Sequence, residues 1–369
     1  MKKIFTVGAA LMLTTTAATA GGLDRSGQGI GAIFEDGRYT EFSFGAIRPS
    51  LSGTDAAAFG GMNTGNVAGN YNQIGFAYKM DINPKTSFAL IFDQPYGADI
   101  EYATAADGGS VALGGTKAYL ESSAITAMAR YKFDDKYSVH GGLRAETISA
   151  DIALGGAAYG GLNGYTTSLA ENTAYGYSVG AAYERKDIAL RVALTYHSSI
   201  EHVFDTTENG GPSLPTTVNT PQAVNLDFQT GVAADTLVFG SIRWADYSEL
   251  TVSPAGFSAA TAGGSLTDID DSISYNIGVG RKFSDVFSGS LSVGYEAAGE
   301  SDLVSPLAPS NGNYSIALGG KYTMNNISFS GGIRYIVPGD AEAETADTSR
   351  ASFADNSAVA VGFKVAYNF

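Results

Sequence analysis

Apolar residues alternate with small or polar ones along the last stretch of the chain, Ser357 to Phe369. Val359, Val361, Phe363, Val365, Tyr367 and Phe369 fall on one face, and Ala358, Ala360, Gly362, Lys364, Ala366 and Asn368 on the other. A period of two predicts a strand. The apolar face runs to a terminal aromatic without the charges or prolines that blunt a soluble edge, which points to a face in contact with lipid. The pattern recurs at Phe287, Leu291, Val293 and Tyr295 against Ser288, Ser290, Ser292 and Gly294. It predicts strands near 39–49, 70–81, 86–101, 117–133, 137–153, 173–186, 188–204, 217–231, 236–249, 271–283, 286–297, 314–324, 327–337 and 356–369. Short links such as Asn83-Pro84, Asp134-Asp135 and Asn325-Asn326 carry turn chemistry. They alternate with long segments rich in Gly, Ser, Asp and Thr. The predicted fold class is all-β: a transmembrane antiparallel β-barrel of about 14 strands, with both termini and the short turns at the periplasmic end.

The ends of the chain refine this picture. Lys2 and Lys3, an apolar run from Ile4 to Leu13 and Ala18-Thr19-Ala20 predict a signal peptide over residues 1–20. No later segment approaches the roughly 20 apolar residues of a membrane-spanning helix, so a membrane-embedded chain has to be a closed barrel. Residues 21–37 precede the first strand and contain Leu23, Ile30, Ile33 and Phe34. Four large apolar side chains favour burial over a solvated tail, so this segment is expected to plug the lumen, with residues 38–369 forming the barrel. Gly27, Gly29 and Gly31 lie outside any strand-turn-helix unit that would make them a nucleotide loop.

Composition narrows the function. The formal net charge is -15, and it becomes more negative once Lys2 and Lys3 are removed. That excludes nucleic acid as a natural partner. With no cysteine, the chain has neither disulfides nor thiolate metal sites. Asp268, Asp270 and Asp271 lack calcium-loop spacing, so neither metal nor cofactor is expected; acidic loops that bridge to lipopolysaccharide through divalent ions are the plainer reading.

Alternation carried along the chain puts Lys79, Arg130, Lys132, His140, Arg144, Glu146, Glu184, Arg191, Asp227, Arg243, Lys282, Lys321, Arg334 and Lys364 inside. These read either as ion pairs filling the lumen or as a path that favours anions such as carboxylates. A buried carboxylate needs a cation or a hydrogen-bond donor, for which Arg144, Arg191, Arg243, Lys321 and Arg334 are candidates by parity. Gln94-Pro95-Tyr96-Gly97 interrupts the third strand, because proline removes a ladder donor and glycine weakens the strand. It reads as a kink in the wall, or as the end of the strand at Asp93.

Taken in order along the chain, these features resemble the FadL family of outer-membrane transporters for long-chain fatty acids and other hydrophobic compounds. They are the leader, the segment before the first strand, about fourteen strands, Pro95-Tyr96-Gly97, the Thr220-Pro221 to Tyr247 hairpin with Trp244, and Phe369. The resemblance implies a hatch in the lumen, formed here by Leu23, Ile30, Ile33 and Phe34, and a lateral gate at Pro95, Tyr96 and Gly97. It also implies a capture groove between extracellular loops, placed at 155–172 and 205–216 with Tyr159, Leu162, Tyr165, Leu214 and Pro215. A hydrophobic small molecule is the expected ligand, alongside membrane lipid and lipopolysaccharide. The barrel-assembly machinery would read Phe369, and the chain is expected to be a monomer. A general or anion-selective porin is the alternative. A hydrolase using His140, His197 or His202 is a third reading, for which no nucleophile elbow is found.

Overall fold

The computed structural model describes residues 23–299 and 301–369, so the leader expected over residues 1–20 lies outside them. The strands are β1 (Tyr39–Ser50), β2 (Tyr71–Asn83), β3 (Thr86–Asp93, resuming at Gly97–Glu101), β4 (Lys117–Lys132) and β5 (Tyr137–Leu154). They continue with β6 (Tyr165–Arg185), β7 (Leu190–His197, resuming at Ile200–Phe204), β8 (Thr216–Thr220, resuming at Ala223–Ala233), β9 (Thr236–Ala245) and β10 (Ser272–Lys282). The last are β11 (Phe287–Glu296), β12 (Asn313–Met324), β13 (Ile327–Pro338) and β14 (Ser357–Asn368). Neighbours in sequence pair antiparallel, and β14 returns to β1 from Tyr39↔Asn368 to Ser50↔Ser357. The result is a closed 14-strand barrel. Closure removes the free edges that would otherwise seed association between chains.

Period-two alternation decides which face each side chain takes. Phe42, Phe44, Ile125, Leu143, Ile277, Leu291, Val293, Ile316, Leu318, Ile333, Val361 and Phe363 are exposed on the outer wall. Lys79, Arg130, His140, Arg144, Glu146 and Arg243 are buried inside it. So large an apolar exterior fits lipid, not water.

Several boundaries differ from those expected; the strand from Thr236 ends at Ala245, not 249, where Tyr247–Glu249 turns as a 3-10 helix. β6 starts at Tyr165 instead of 173, extending past the wall to pair with Leu154 and its neighbours on β5. Near Ile188 the chain forms a one-turn 3-10 helix, Lys186–Ile188, and the left-handed Ala189 (φ 52°) delays β7 to Leu190.

Residues 23–34 lie within the barrel, and Asp36 and Gly37 emerge at its end. Leu23, Ile30, Ile33 and Phe34 are buried, Ile33 completely. At roughly 1.5–3 kcal/mol per buried side chain, their removal from water is a strong force holding this segment in. Phe34 sits between the guanidinium groups of Arg130 (4.6 Å) and Arg191 (4.8 Å), with His140 against its edge. Further up, Asp24 pairs with Arg243 at 2.7 Å, and Asn225 donates to the Gly27 carbonyl at 2.8 Å.

Candidate functional site

The wall is incomplete beside β3. From Phe76↔Phe92 downward β2 pairs with β3, but Tyr71 to Gly75 have no strand partner on that side among the described residues. Five residues at about 3.3 Å each leave a side opening on the order of 16 Å long. Its cause is local: Pro95 has no N–H to donate, and the chain leaves the ladder between Asp93 and Gly97. Side chains and the plug meet the displaced backbone groups instead. Gln94 Oε1 accepts from Ile74 N at 2.9 Å, Ser122 Oγ bonds both the N–H and the carbonyl of Tyr96, and Arg25 N donates to the Pro95 carbonyl at 2.8 Å. Gly97 N donates to the Leu23 carbonyl at 3.0 Å. A Cβ at Gly97 would stand 2.2 Å from the Arg25 guanidinium carbon, which itself lies over the Tyr71 ring at 3.9 Å. Glycine is therefore required for Arg25 to occupy the opening. Pro95, Tyr96 and Gly97, singled out in sequence, all lie at this break.

An apolar cavity of about 70 Å³ lies inside the wall next to it. Leu23 and Tyr96 form its floor beside the plug, Ile148, Ile152 and Phe204 its side, and Leu250, Ile269 and Leu307 its roof. The roof comes from the long segments 246–271 and 297–312, of which the sequence predicts 246–249 and 297 as strand ends and most of the rest as loop. Their signal was present, since Leu250, Val252, Phe257, Leu266 and Ile269 are too many large apolar residues for exposed loop. Of the segments 155–172 and 205–216, expected to form the groove, 155–172 reaches the cavity through Leu169. Tyr165 is buried against Phe257, whereas Leu214 is exposed.

Two anchors hold the roof. Tyr102 donates to the Pro306 carbonyl at 2.9 Å, and Glu208 accepts from the backbone N–H of Gly256 and Phe257 at 2.8 and 2.9 Å. Burial alone would raise the Glu208 carboxyl, but hydrogen bonds from Ser213, Tyr165 and these two amides outweigh it and hold it at about 2.

The inward cations separate into three groups. Arg144 is filled by Asp93, Glu146 and Thr126, and Arg243 by Asp24, Asn225 and Gln28. Arg191 contacts Phe34 and Gln229. Lys321 and Arg334 have no hydrogen bond or ion pair among the described residues. Arg334 lines a second space of about 120 Å³, walled largely by Ser241, Ser274, Ser290, Ser292 and Asn276, on the far side of the plug. The structure does not gather the five candidate cations around one ligand position. The histidines stand apart as well: His140 bonds Thr195 and His197 bonds Ser178, both at the level of the plug, while His202 lines the apolar cavity.

Comparison with known proteins agrees with this architecture. The barrel resembles the crystal structure of a Pseudomonas aeruginosa FadL homologue (TM-score 0.72, 14% identity, covering 96% of this chain and 98% of that one). It is also similar to the Pseudomonas putida toluene transporter TodX (TM-score 0.66, 12% identity, 96% and 98% covered). A third likeness is the Ralstonia pickettii toluene transporter TbuX (TM-score 0.61, 14% identity, 96% and 98% covered). No curated protein sequence matches the chain. The family described as outer membrane protein transport protein (OMPP1/FadL/TodX) matches residues 35–369, which is most of the chain. The chain therefore belongs to the OMPP1/FadL/TodX family of outer-membrane transport proteins.

Proposed function

We propose that this protein takes up hydrophobic small molecules, long-chain fatty acids or other apolar compounds, and releases them sideways into the outer membrane. Cargo enters at the long-loop end, which faces the cell exterior, occupies the apolar cavity under segments 246–271 and 297–312, and leaves past Gly97 between β2 and β3. The observation that carries the reading is the unpaired Tyr71 to Gly75 edge beside the cavity. Each CH₂ taken out of water contributes about 0.8 kcal/mol, so an apolar cargo moves more readily into lipid than through the aqueous periplasm. The toluene transporters named above have the same fold and handle an apolar cargo of this kind. The short plug, buried and tied by Asp24–Arg243, favours this reading over an open porin.

A cysteine pair at Gln73 and Gln94, whose side chain and carbonyl already meet at 3.4 Å across the opening, provides the test. Once oxidised, it should abolish uptake of a radiolabelled fatty acid or toluene, and reduction should restore it. Full uptake with the pair completely oxidised would eliminate the lateral route.

A further inference from the structure

The apolar cavity offers no positive charge for a ligand to meet. Of the side chains that line it, His202 alone ionises near neutral pH. Its Nδ1 lies 3.0 Å from Asn172 Oδ1 and its Nε2 3.5 Å from Glu146, and neither partner lines the cavity. Any charge on the ring is therefore already balanced by Glu146. Arg144 and Arg243 are filled by Asp93, Glu146 and Asp24, and they do not line the cavity either. Thr267 donates its hydroxyl to the Leu250 carbonyl at 2.7 Å, Thr220 to the Ile200 carbonyl at 3.5 Å, and Tyr119 to Glu121. That leaves the neutral hydroxyls of Tyr96 and Ser305. The approach carries one sign of charge. Segments 246–271 and 297–312, which roof the cavity, present Glu249, Asp268, Asp270, Asp271 and Asp302, all exposed, and contain no Lys or Arg. Segments 155–172 and 205–216 contain none either.

We infer that this protein selects uncharged apolar molecules and rejects ionised carboxylates, so that a fatty acid enters only in its protonated form. The inference rests on the cavity being the ligand chamber proposed above, and it narrows the cargo that chamber takes. A carboxylate that left water for the cavity would lose its hydration without gaining a cation, and a group so placed takes up a proton instead. The exposed carboxylates act earlier and more weakly. They slow the arrival of an anion, and physiological salt screens them beyond about 8 Å. The chamber therefore sets the selectivity, and the loops set only the rate of approach.

Methyl p-toluate and p-toluate share a ring and a carbonyl and differ in charge. Calorimetric titration of the full-length barrel in detergent at pH 7, with partition into empty micelles subtracted, should show the ester binding about 100-fold tighter than the anion, or more. At about pH 3.5, where p-toluic acid is largely un-ionised, the two should agree within about threefold. Glu208, held at about 2, keeps the roof anchored under those conditions. An Ile269→Arg variant puts a cation at the roof and should narrow the difference at pH 7. Equal affinities of ester and anion at pH 7 would overturn the inference while leaving the cavity as the ligand chamber. Weak binding of the un-ionised acid, with the ester still bound, would overturn it too, since the discrimination would then follow shape and not charge. If the ester binds at neither pH, the chamber falls as well. The wild-type comparison decides the matter even if Ile269→Arg does not assemble.

Discussion

Arg144 and Arg334 both point inward, yet they meet opposite environments. Arg144 is buried between two carboxylates, Asp93 at 3.1 Å and Glu146 at 3.2 Å, so removing its charge strands both in an apolar interior. Arg144→Gln is expected to lower stability by about 3–5 kcal/mol, the usual result of breaking a buried ion pair from one side. Arg334 has no such partner among the described residues, and Arg334→Gln should stay within about 0.5 kcal/mol. Urea unfolding of both variants in lipid vesicles measures the difference. The outer face follows a different rule. Phe363 is exposed to lipid, so Phe363→Arg should cost on the order of 2–4 kcal/mol. The adjacent Lys364 pairs inward with Glu41 at 3.0 Å, and Lys364→Gln should cost less than about 1 kcal/mol. Equal tolerance at 363 and 364 in the same assay would contradict the register.

Among the elements, strands were more legible than loops, and the reason is periodicity. A membrane strand has lipid on one side and lumen on the other, so parity alone assigns each side chain, as at Val361, Phe363 and Lys364. Segments 246–271 and 297–312 have no such period. Their apolar residues converge only through contacts distant in sequence, such as Tyr102 to Pro306. The break at Gln94-Pro95-Tyr96-Gly97 was legible because proline and glycine act on the backbone directly. That Arg25 occupies the opening was not, since nothing in local sequence pairs residue 25 with residue 97. The state of each cation was also hidden. Parity places Arg144 and Arg334 alike on the inner face, and only the folded chain shows that Asp93 and Glu146 converge on one of them. The Glu208 anchor belongs to this scale. A carboxyl held at about 2 in the fold stabilises the roof fully above its ordinary range near 4.5, and that contribution is lost as pH falls through about 2. Hydrogen exchange at the Gly256 and Phe257 amides should therefore be slow from pH 7 to 5 after correction for intrinsic rates. Protection should collapse on approach to pH 2, whereas Glu208→Ala should show the unprotected rate throughout.

For the whole molecule, closure of the barrel and burial of the segment inside it rest on different contacts. The wall closes through β1 and β14 without help from residues 23–37, which bond instead to inward side chains and to the broken edge of β3. A chain lacking residues 23–37 is expected to assemble and to show heat-modifiable gel migration. In planar bilayers it should conduct ions at levels several-fold above the full chain. Equal conductance of the two forms would mean that the plug does not limit ion passage.

Leu23 is the first residue that the structure describes, and it belongs to the cavity wall, not to the protein surface. On the function proposed above, the segment that begins at Leu23 borders the space taken by cargo, so bulk placed next to it meets the ligand. Bulk introduced next to Leu23 is expected to weaken binding of an apolar ligand while leaving the amount of assembled barrel unchanged, which ligand titration and gel migration measure together. At the opposite terminus, Phe369 stands exposed beside Arg38 at the rim. The two ends of the described chain thus meet different surroundings, one the apolar cavity and the other the barrel rim.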